Sequence, residues 1–393
     1  MLVRIFPSIF FTKTLLAIGT FFNDIWLYII FILKFFGIWT LLSFNIDWNN
    51  NKFHYVHSIT YYLKIEHQEM KRILTGIQSS GKPHLGNILG AILPAIELSK
   101  KNDSECFFFI ADLHSLTTIK DAKLRKENIY SVAAAWLAFG FDTESNVLYR
   151  QSHINEVCEL TWYLNCFMPF SRLSLATSFK DKANKLEDVN SGLFVYPVLM
   201  CSDILMYDAE IIPVGKDQQQ HIEFAREIAR KINHHYKSEI FIVPEIKLDK
   251  KVMIIPGVDG QKMSKSYNNY IDIFKPEKQL RKDVMKIVTD AKTVEEPKDP
   301  ENCTVFKLYS TVASEIQISE MRNKYLAGNY GYGHAKNELF EILWNKFEIE
   351  REKYNYYMDN LEEVENMLLK GEKKAQVVAD KVLNRVRKIL GFD

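Results

Sequence analysis

The sequence predicts an α/β protein, a doubly wound parallel sheet followed by an all-helical domain. From residue 70 onward, short apolar runs alternate with amphipathic helical patterns, which is the mark of βαβ units. Beyond residue 276 the apolar residues recur only at helical spacing. A chain of 393 residues, 47% of them hydrophobic, is long enough for two or three domains with their own cores.

Composition excludes little else. Lys and Arg number 50 against 49 Asp and Glu, a net charge of +1. Near-neutrality neither supports nor excludes an RNA partner, because transient binding needs a local basic surface rather than a basic total. Cys106, Cys158, Cys166, Cys201 and Cys303 are scattered, with no CxxC pair and no His at zinc-ligand spacing. They read as reduced and structural, as in a cytoplasm, and no metal site is expected.

Residues 1–69 stand apart. Ile25 to Phe44 is a mostly apolar run broken by Lys34, long enough to cross a hydrocarbon core of roughly 30 Å. Lys34 falls near its middle, Asn45 to Asn51 is rich in Asn and Asp, and the residues before it lack the order of a signal peptide. The expectation is that translation begins at Met70 and that the leader is either untranslated or disordered. A membrane anchor and a targeting segment are the alternatives, and no stable membrane partner is expected unless the leader is real.

Arg72 to Thr75 reads as a buried strand, and the Ser79 to Pro83 cluster is turn chemistry that ends it. From Leu85 the apolar positions Ile88, Leu89, Ile92, Ile96 and Leu98 have helical spacing, so His84, Gly86 and Asn87 open a helix. Unpaired N–H groups there favour a phosphate, and Gly86 has no Cβ to hold a ligand off the backbone. Any strand, turn and helix shares this coarse pattern, and the spacing fits neither a Walker loop nor a dinucleotide fingerprint. Cys106 to Ala111 is the second strand, with Asp112-Leu113-His114-Ser115 at its carboxyl end, where open parallel sheets hold ligands. Glu127 to Phe139 is a helix ended by Gly140, and Val147 to Gln151 a third strand. Trp136 and Trp162 are assigned to helix packing.

Tyr196 to Tyr207 is an apolar helix with one carboxylate, Asp203. A buried carboxylate is costly unless paired, so Asp203 serves either an internal hydrogen bond or a ligand donor. Ile211 to His221 is a strand, a Gly turn and a new helix, again suited to phosphate and ribose. Lys262-Met263-Ser264-Lys265-Ser266 follows a loop containing Pro256-Gly257 and Asp259-Gly260, which puts two lysines on a polar, mobile segment. The tail carries helical patterns over Pro276–Ile287, Val305–Tyr325, Ala335–Tyr354, Leu361–Leu369 and Glu372–Leu390, with Gly371 as a break and Gly391 as a C-cap.

Two of these stretches resemble the paired motifs of class I aminoacyl-tRNA synthetases. His84-Leu85-Gly86-Asn87 stands for HIGH, with Asn87 in place of the last His, and Lys262 to Ser266 matches KMSKS throughout. Gly76-Ile77-Gln78, Tyr196-Pro197, Leu199-Met200, Asp203-Ile204-Leu205 and the loop from Val214 to His221 narrow the likeness to the bacterial-type tryptophanyl-tRNA synthetases, over essentially Met70 to Asp393. The resemblance implies a Rossmann-like catalytic domain over 70–266 and a helical, anticodon-binding-like domain over 267–393. It also implies a homodimer that uses ATP with Mg²⁺, L-tryptophan and tRNA(Trp).

Carried over by position, Gln78, Ser79, Ser80, Gly86 and Asn87 would contact ATP, with His84 at its phosphates. Lys182 would face the phosphates as well, although Ser178 stands where relatives carry Gln. Gly215, Lys216 and Asp217 would hold the ribose and adenine side; many relatives have Glu at Lys216, so only its backbone carries over. Val252 would touch adenine, and Lys262, Met263, Ser264, Lys265 and Ser266 would close on the leaving pyrophosphate. Asp203 would bind the indole nitrogen, a donor-only group, in a pocket lined by Leu74, Gly76, Met200, Ile212, Val214 and Gln218. In the implied reaction the tryptophan carboxylate attacks the α-phosphorus of ATP, and the acyl group then passes to the tRNA 3′ end. His84, Lys262 and Lys265 supply positioning and charge rather than a nucleophile. A tyrosine-specific enzyme, a catalytically idle RNA-binding relative and a small nucleotidylyltransferase are the rival readings. The last gives no reason for the long helical tail.

Overall fold

The computed structural model describes residues 24–33, 38–47, 52–62, 71–100, 104–176, 179, 189–214, 219–248 and 255–392. It divides into two compact units, Met1–Glu69 and Met70–Asp393. In the first, β1 (Asp24–Leu33), β2 (Ile38–Asp47) and β3 (Lys52–Tyr62) form an antiparallel meander, with Asp24 opposite Asp47 and Ile38 opposite Tyr62. The apolar run at Ile25 to Phe44 is therefore two strands rather than one helical span. Its β-branched and aromatic composition suits extended backbone. No helix among the described residues is long and apolar enough to cross a membrane.

The second unit is built on a five-stranded sheet in the order β6-β5-β4-β7-β8. The strands are β4 (Lys71–Gln78), β5 (Ser104–Ala111), β6 (Val147–Arg150), β7 (Ile211–Val214) and β8 (Glu245–Leu248), and all neighbours are parallel. The chain winds outward from β4 to β6, then returns to β7 on the other side. This reversal puts a crevice at the carboxyl end of β4, where such sheets bind ligands. The residues Cys106 to Ala111 are all buried, as a central parallel strand covered on both faces requires.

Alternate side chains divide the core into two halves. Ile73, Ile77, Cys106, Phe108 and Ile110 face one half, with Trp136 of α4 (Ala122–Ala138). Leu74, Phe107, Phe109, Tyr149 and Ile212 face the other, against α5 (Glu156–Phe167), α7 (Ser191–Leu205) and α8 (Gln219–Tyr236). Helix α4 starts five residues before the predicted Glu127 because the Asp121 side chain caps it at Leu124 N–H, 2.7 Å. Gly140, at φ +84°, follows its C-terminus.

The tail is helical but divided differently from its pattern: α9 (Glu277–Met285), α10 (Thr304–Val312), α11 (Glu315–Ala327), α12 (Tyr332–Lys346), α13 (Glu348–Asp359) and α14 (Leu361–Leu390). The predicted Val305–Tyr325 helix is two, because Ser314 starts a new one with a capping box to Gln317. Gly371 breaks nothing, for α14 runs through it for 30 residues. A Cβ there would overlap the carbonyl oxygen of Leu148, so this glycine lets the helix rest directly on β6. Trp136 is fully buried, but Trp162 is 68% exposed, so the packing expectation fails for Trp162. It sits on the outward face of α5. The tail shares both halves of the core with the sheet, Leu368 with Leu148 in one and Val382 with Tyr149 in the other.

Candidate active site at the carboxyl edge of the sheet

His84 closes the turn after β4 as the N-cap of the helical segment α1 (Leu85–Asn87). Its Nδ1 accepts from Asn87 N–H at 3.2 Å, and Asn87 Oδ1 accepts from His84 N–H at 3.2 Å. This reciprocal pair fixes the ring and explains why the fourth motif position tolerates Asn. The helix continues through a π-helical turn, Ile88–Ile92, into α2 (Leu93–Ser99). Burial and then the Lys265 ammonium lower the His84 imidazole to about 4, so it is neutral at pH 7. Gln78 and Ser79 spend their side chains on the turn after β5: Gln78 Nε2 donates to His114 O at 3.1 Å, and Ser79 Oγ pairs with Ser115 Oγ at 2.9 Å. Ser80 is exposed and Gly86 half-buried.

The Lys262–Ser266 segment lies against this loop. Gly86 N–H points at Met263 Sδ, 3.3 Å away. A Cβ on Gly81 would come within 3.1 Å of Lys265 Cδ and 3.3 Å of its Nζ, so the ammonium rests over the turn. Burial lowers Lys265 to about 8, with Asp272 pulling the other way. A hairpin presents these residues: Gly257 N–H bonds Gln261 O at 2.6 Å and Met263 N–H bonds Ile255 O at 2.9 Å. Asn269 ties it, accepting from Ser264 N–H at 2.7 Å and donating to Asp259 Oδ1 at 2.7 Å and Lys262 O at 3.1 Å. A Cβ on Gly257 would collide with Asn269, hence glycine there. Ser264 caps the short turn Lys265–Tyr267 through Ser266 N–H.

Asp203 lies on the far side of β4, 2% exposed on α7. Its Oδ2 is 2.8 Å from His114 Nε2, and Gln151 Nε2 donates to both oxygens at 2.7 and 2.9 Å. Burial raises the carboxyl above its ordinary value, and the His114 contact opposes that. Gln151 Oε1 accepts Leu113 N–H at 3.1 Å, which settles which end of the amide faces Asp203. Leu74 and Ile212 are buried in the same half of the core, and Met200 is half-buried. Gly76 has a more specific function than lining: a Cβ would strike the Phe109 ring, which occupies that space.

The positions expected at Lys182, Gly215, Lys216, Asp217, Gln218 and Val252 lie outside the described residues, as does the side chain of Val214. Gln151 escaped the sequence reading because it looked like the last residue of a strand. Only its neighbour in space, Asp203, gives it meaning. His114 reads from the sequence as a residue of the ligand edge, and the structure adds its partner, Asp203. Among the described residues no group of three or more His, Cys, Asp or Glu side chains could hold a metal.

The family model for tRNA synthetases class I (W and Y) matches residues 66–385. The tryptophan–tRNA ligase of Fusobacterium nucleatum subsp. nucleatum is 44% identical over 323 residues, covering 82% of this chain and 98% of its own length. That of Campylobacter jejuni is 42% identical over 321 residues, 82% of this chain and 100% of its own. The solved Campylobacter jejuni tryptophanyl-tRNA synthetase complexed with ADP and tryptophan has a TM-score of 0.76 at 42% identity, over 81% of this chain and 99% of that one. With the His84 turn, the Lys262–Ser266 hairpin and the switch point all on one sheet edge, the chain belongs to the class I tRNA synthetases of the tryptophan and tyrosine branch.

Proposed function

We propose that this chain activates L-tryptophan with ATP to tryptophanyl-adenylate and transfers the acyl group to tRNA(Trp), as a tryptophan–tRNA ligase. The carrying observation is the match to tryptophan–tRNA ligases over nearly their whole length at about two-fifths identity, with a buried carboxylate, Asp203, held by His114 and Gln151. The indole N–H has one donor and no acceptor, and Asp203 offers the acceptor.

ATP binds across the carboxyl end of β4, its phosphates between the His84 turn and Lys265. Mg²⁺ arrives on those phosphates as part of the substrate, since such sites rarely have all-protein cages. A neutral His84 can donate from Nε2 to a phosphoryl oxygen, because Nδ1 is held by Asn87 N–H. Lys262 and Lys265 stabilise the charge that grows on the leaving pyrophosphate. Contacts at Lys182, Gly215, Lys216, Asp217, Gln218 and Val252 rest on the resemblance alone. The chain acts as a homodimer, as the resemblance implies; Trp162, 68% exposed on α5, is an apolar side chain that such an interface would cover. Sedimentation at micromolar concentration should give twice the chain mass, and an active monomer would refute it.

The deciding experiment is ATP–pyrophosphate exchange with tryptophan or tyrosine as the sole amino acid, followed by charging of tRNA(Trp). Exchange dependent on tyrosine alone would move the chain to the other half of its family. No exchange with either, from folded protein that still binds tRNA, would make it a non-catalytic relative.

A further inference from the structure

The last helix does more than extend the tail. Arg150, the final residue of β6, is 6% exposed and held by two carboxylates of α14. Its Nε and one terminal nitrogen donate to Glu372 at 2.5 and 3.1 Å, and its two terminal nitrogens donate to Glu365 at 2.8 Å each. Glu372 also meets His153 Nδ1 at 2.9 Å, and Tyr130 Oη donates to Glu365 at 2.7 Å. Gly371 seats the helix on Leu148 two residues earlier in the strand. Gln151, which orients Asp203, is the next residue after Arg150.

Two other elements around Asp203 are gripped by the same helix. Arg385 donates to both oxygens of Asp208, at 3.1 and 2.5 Å, just beyond the end of α7 that carries Asp203. Arg387 donates to Glu159 on α5, at 2.6 Å through Nε and again through a terminal nitrogen. Helix α14 thus holds β6, α5 and the exit of α7 at once. Lys374 is engaged as well, on the carbonyl oxygens of Thr143 and Glu144. Lys374, Arg385 and Arg387 are in this way fastenings between the last helix and the sheet.

We propose that Arg150 is a positioning residue for amino-acid selection: clamped by Glu365 and Glu372, it sets the strand end from which Gln151 aims the Asp203 carboxylate. A forked guanidinium between two carboxylates fixes direction as well as distance. The amide of Gln151, pinned by Leu113 N–H, passes that direction to Asp203. The inference rests on the reading of Asp203 as acceptor of the indole N–H.

The test measures tryptophan and ATP KM values, kcat in pyrophosphate exchange, and the preference for tryptophan over its benzothiophene analogue, in the full chain. Arg150→Lys keeps the charge and loses the fork. Arg150→Met with Glu372→Met removes the buried pair together, an exchange that other buried ion pairs tolerate. Glu365→Gln touches only the outer, partly exposed arm. The expected result is a tryptophan KM raised about tenfold in the double variant, less in the two single ones. The preference should narrow in parallel while the ATP KM and the melting temperature of Arg150→Lys hold. Unchanged tryptophan KM and preference in all folded variants overturns the proposal, even if melting temperature drops. Should the double variant fail to fold, Arg150→Lys and Glu365→Gln decide by the same criteria. Asp203→Ala separates the two ideas. If it leaves the preference intact, the reading of Asp203 fails. If it collapses the preference and the Arg150 variants do not, only the clamp fails.

Discussion

Replacing Lys265 should separate charge stabilisation from binding. The ammonium lies over the Gly81 turn beside His84, and burial lowers it to about 8 from 10.5. Burial disfavours the charged form, so the proton is lost at lower pH than on an exposed lysine. The activity it supports is therefore present below pH 8 and fades above. In free enzyme at pH 9.5, only about 3% of molecules would keep the charge, so kcat/KM for ATP should fall roughly thirtyfold from its neutral plateau. Lys265→Ala should lose about 10²–10³ in adenylate formation at pH 7.5, the usual cost of one charge-stabilising donor, with tryptophan affinity barely altered. Lys265→Arg should be slower than wild type at neutral pH because its fork fits differently, yet flat to beyond pH 9.5 because a guanidinium stays charged. The assay is pyrophosphate exchange at subsaturating ATP from pH 6.5 to 10, with tryptophan binding followed separately. An alkaline limb of equal position in wild type and Lys265→Arg would refute the assignment, as would equal loss of tryptophan affinity in Lys265→Ala.

Other expectations follow from particular contacts. Asp203→Ala strands the His114 and Gln151 donors, each at about 1–3 kcal/mol, so both melting temperature and tryptophan affinity should fall. The roughly 10⁴–10⁵ preference for tryptophan over its benzothiophene analogue should narrow sharply in exchange kinetics, while equal weakening of both substrates would make Asp203 purely structural. His84 sits at about 4 when folded and 6.5 when unfolded, so the unfolded chain takes up its proton first as pH falls. Denaturant melts should show stability lost between pH 6.5 and 4, on the order of 3 kcal/mol from this residue, and His84→Asn should flatten that slope. Gly371→Ala forces a methyl group into the Leu148 carbonyl and should cost about 3 kcal/mol, read by urea unfolding. Asn269→Ala unties the hairpin under Lys262 and Lys265; kcat should fall with little change in melting temperature.

The strands of the second unit were legible because parallel, doubly covered strands are nearly continuous apolar runs, as Cys106 to Ala111 shows. The His84 turn was legible because cap chemistry is local, involving residues three apart. What escaped was set by residues far apart in the chain. Gly371 looks like a helix break in sequence, and only the strand pressed against it explains a glycine inside a continuous helix. Trp162 follows a helical apolar pattern, yet periodicity cannot say which side of α5 is covered. Gln151 and His114 carry no motif of their own, and their role exists only because α7 brings a carboxylate between them. Lys374, Arg385 and Arg387 carry no motif, and their partners Thr143, Glu144, Asp208 and Glu159 lie far away in the chain.

The Arg150–Glu372 pair also sets an order of events during synthesis, for its members are 222 residues apart. At about 5–20 residues per second, roughly 10–45 s pass between making the arginine and making its carboxylate. Through that interval the nascent sheet holds a guanidinium that cannot be buried without its partner, so β6 cannot settle against its final neighbour. Folding of the sheet is completed only after α14 leaves the ribosome. Messages truncated before codon 372 should yield aggregation-prone chains rather than a stable half-enzyme.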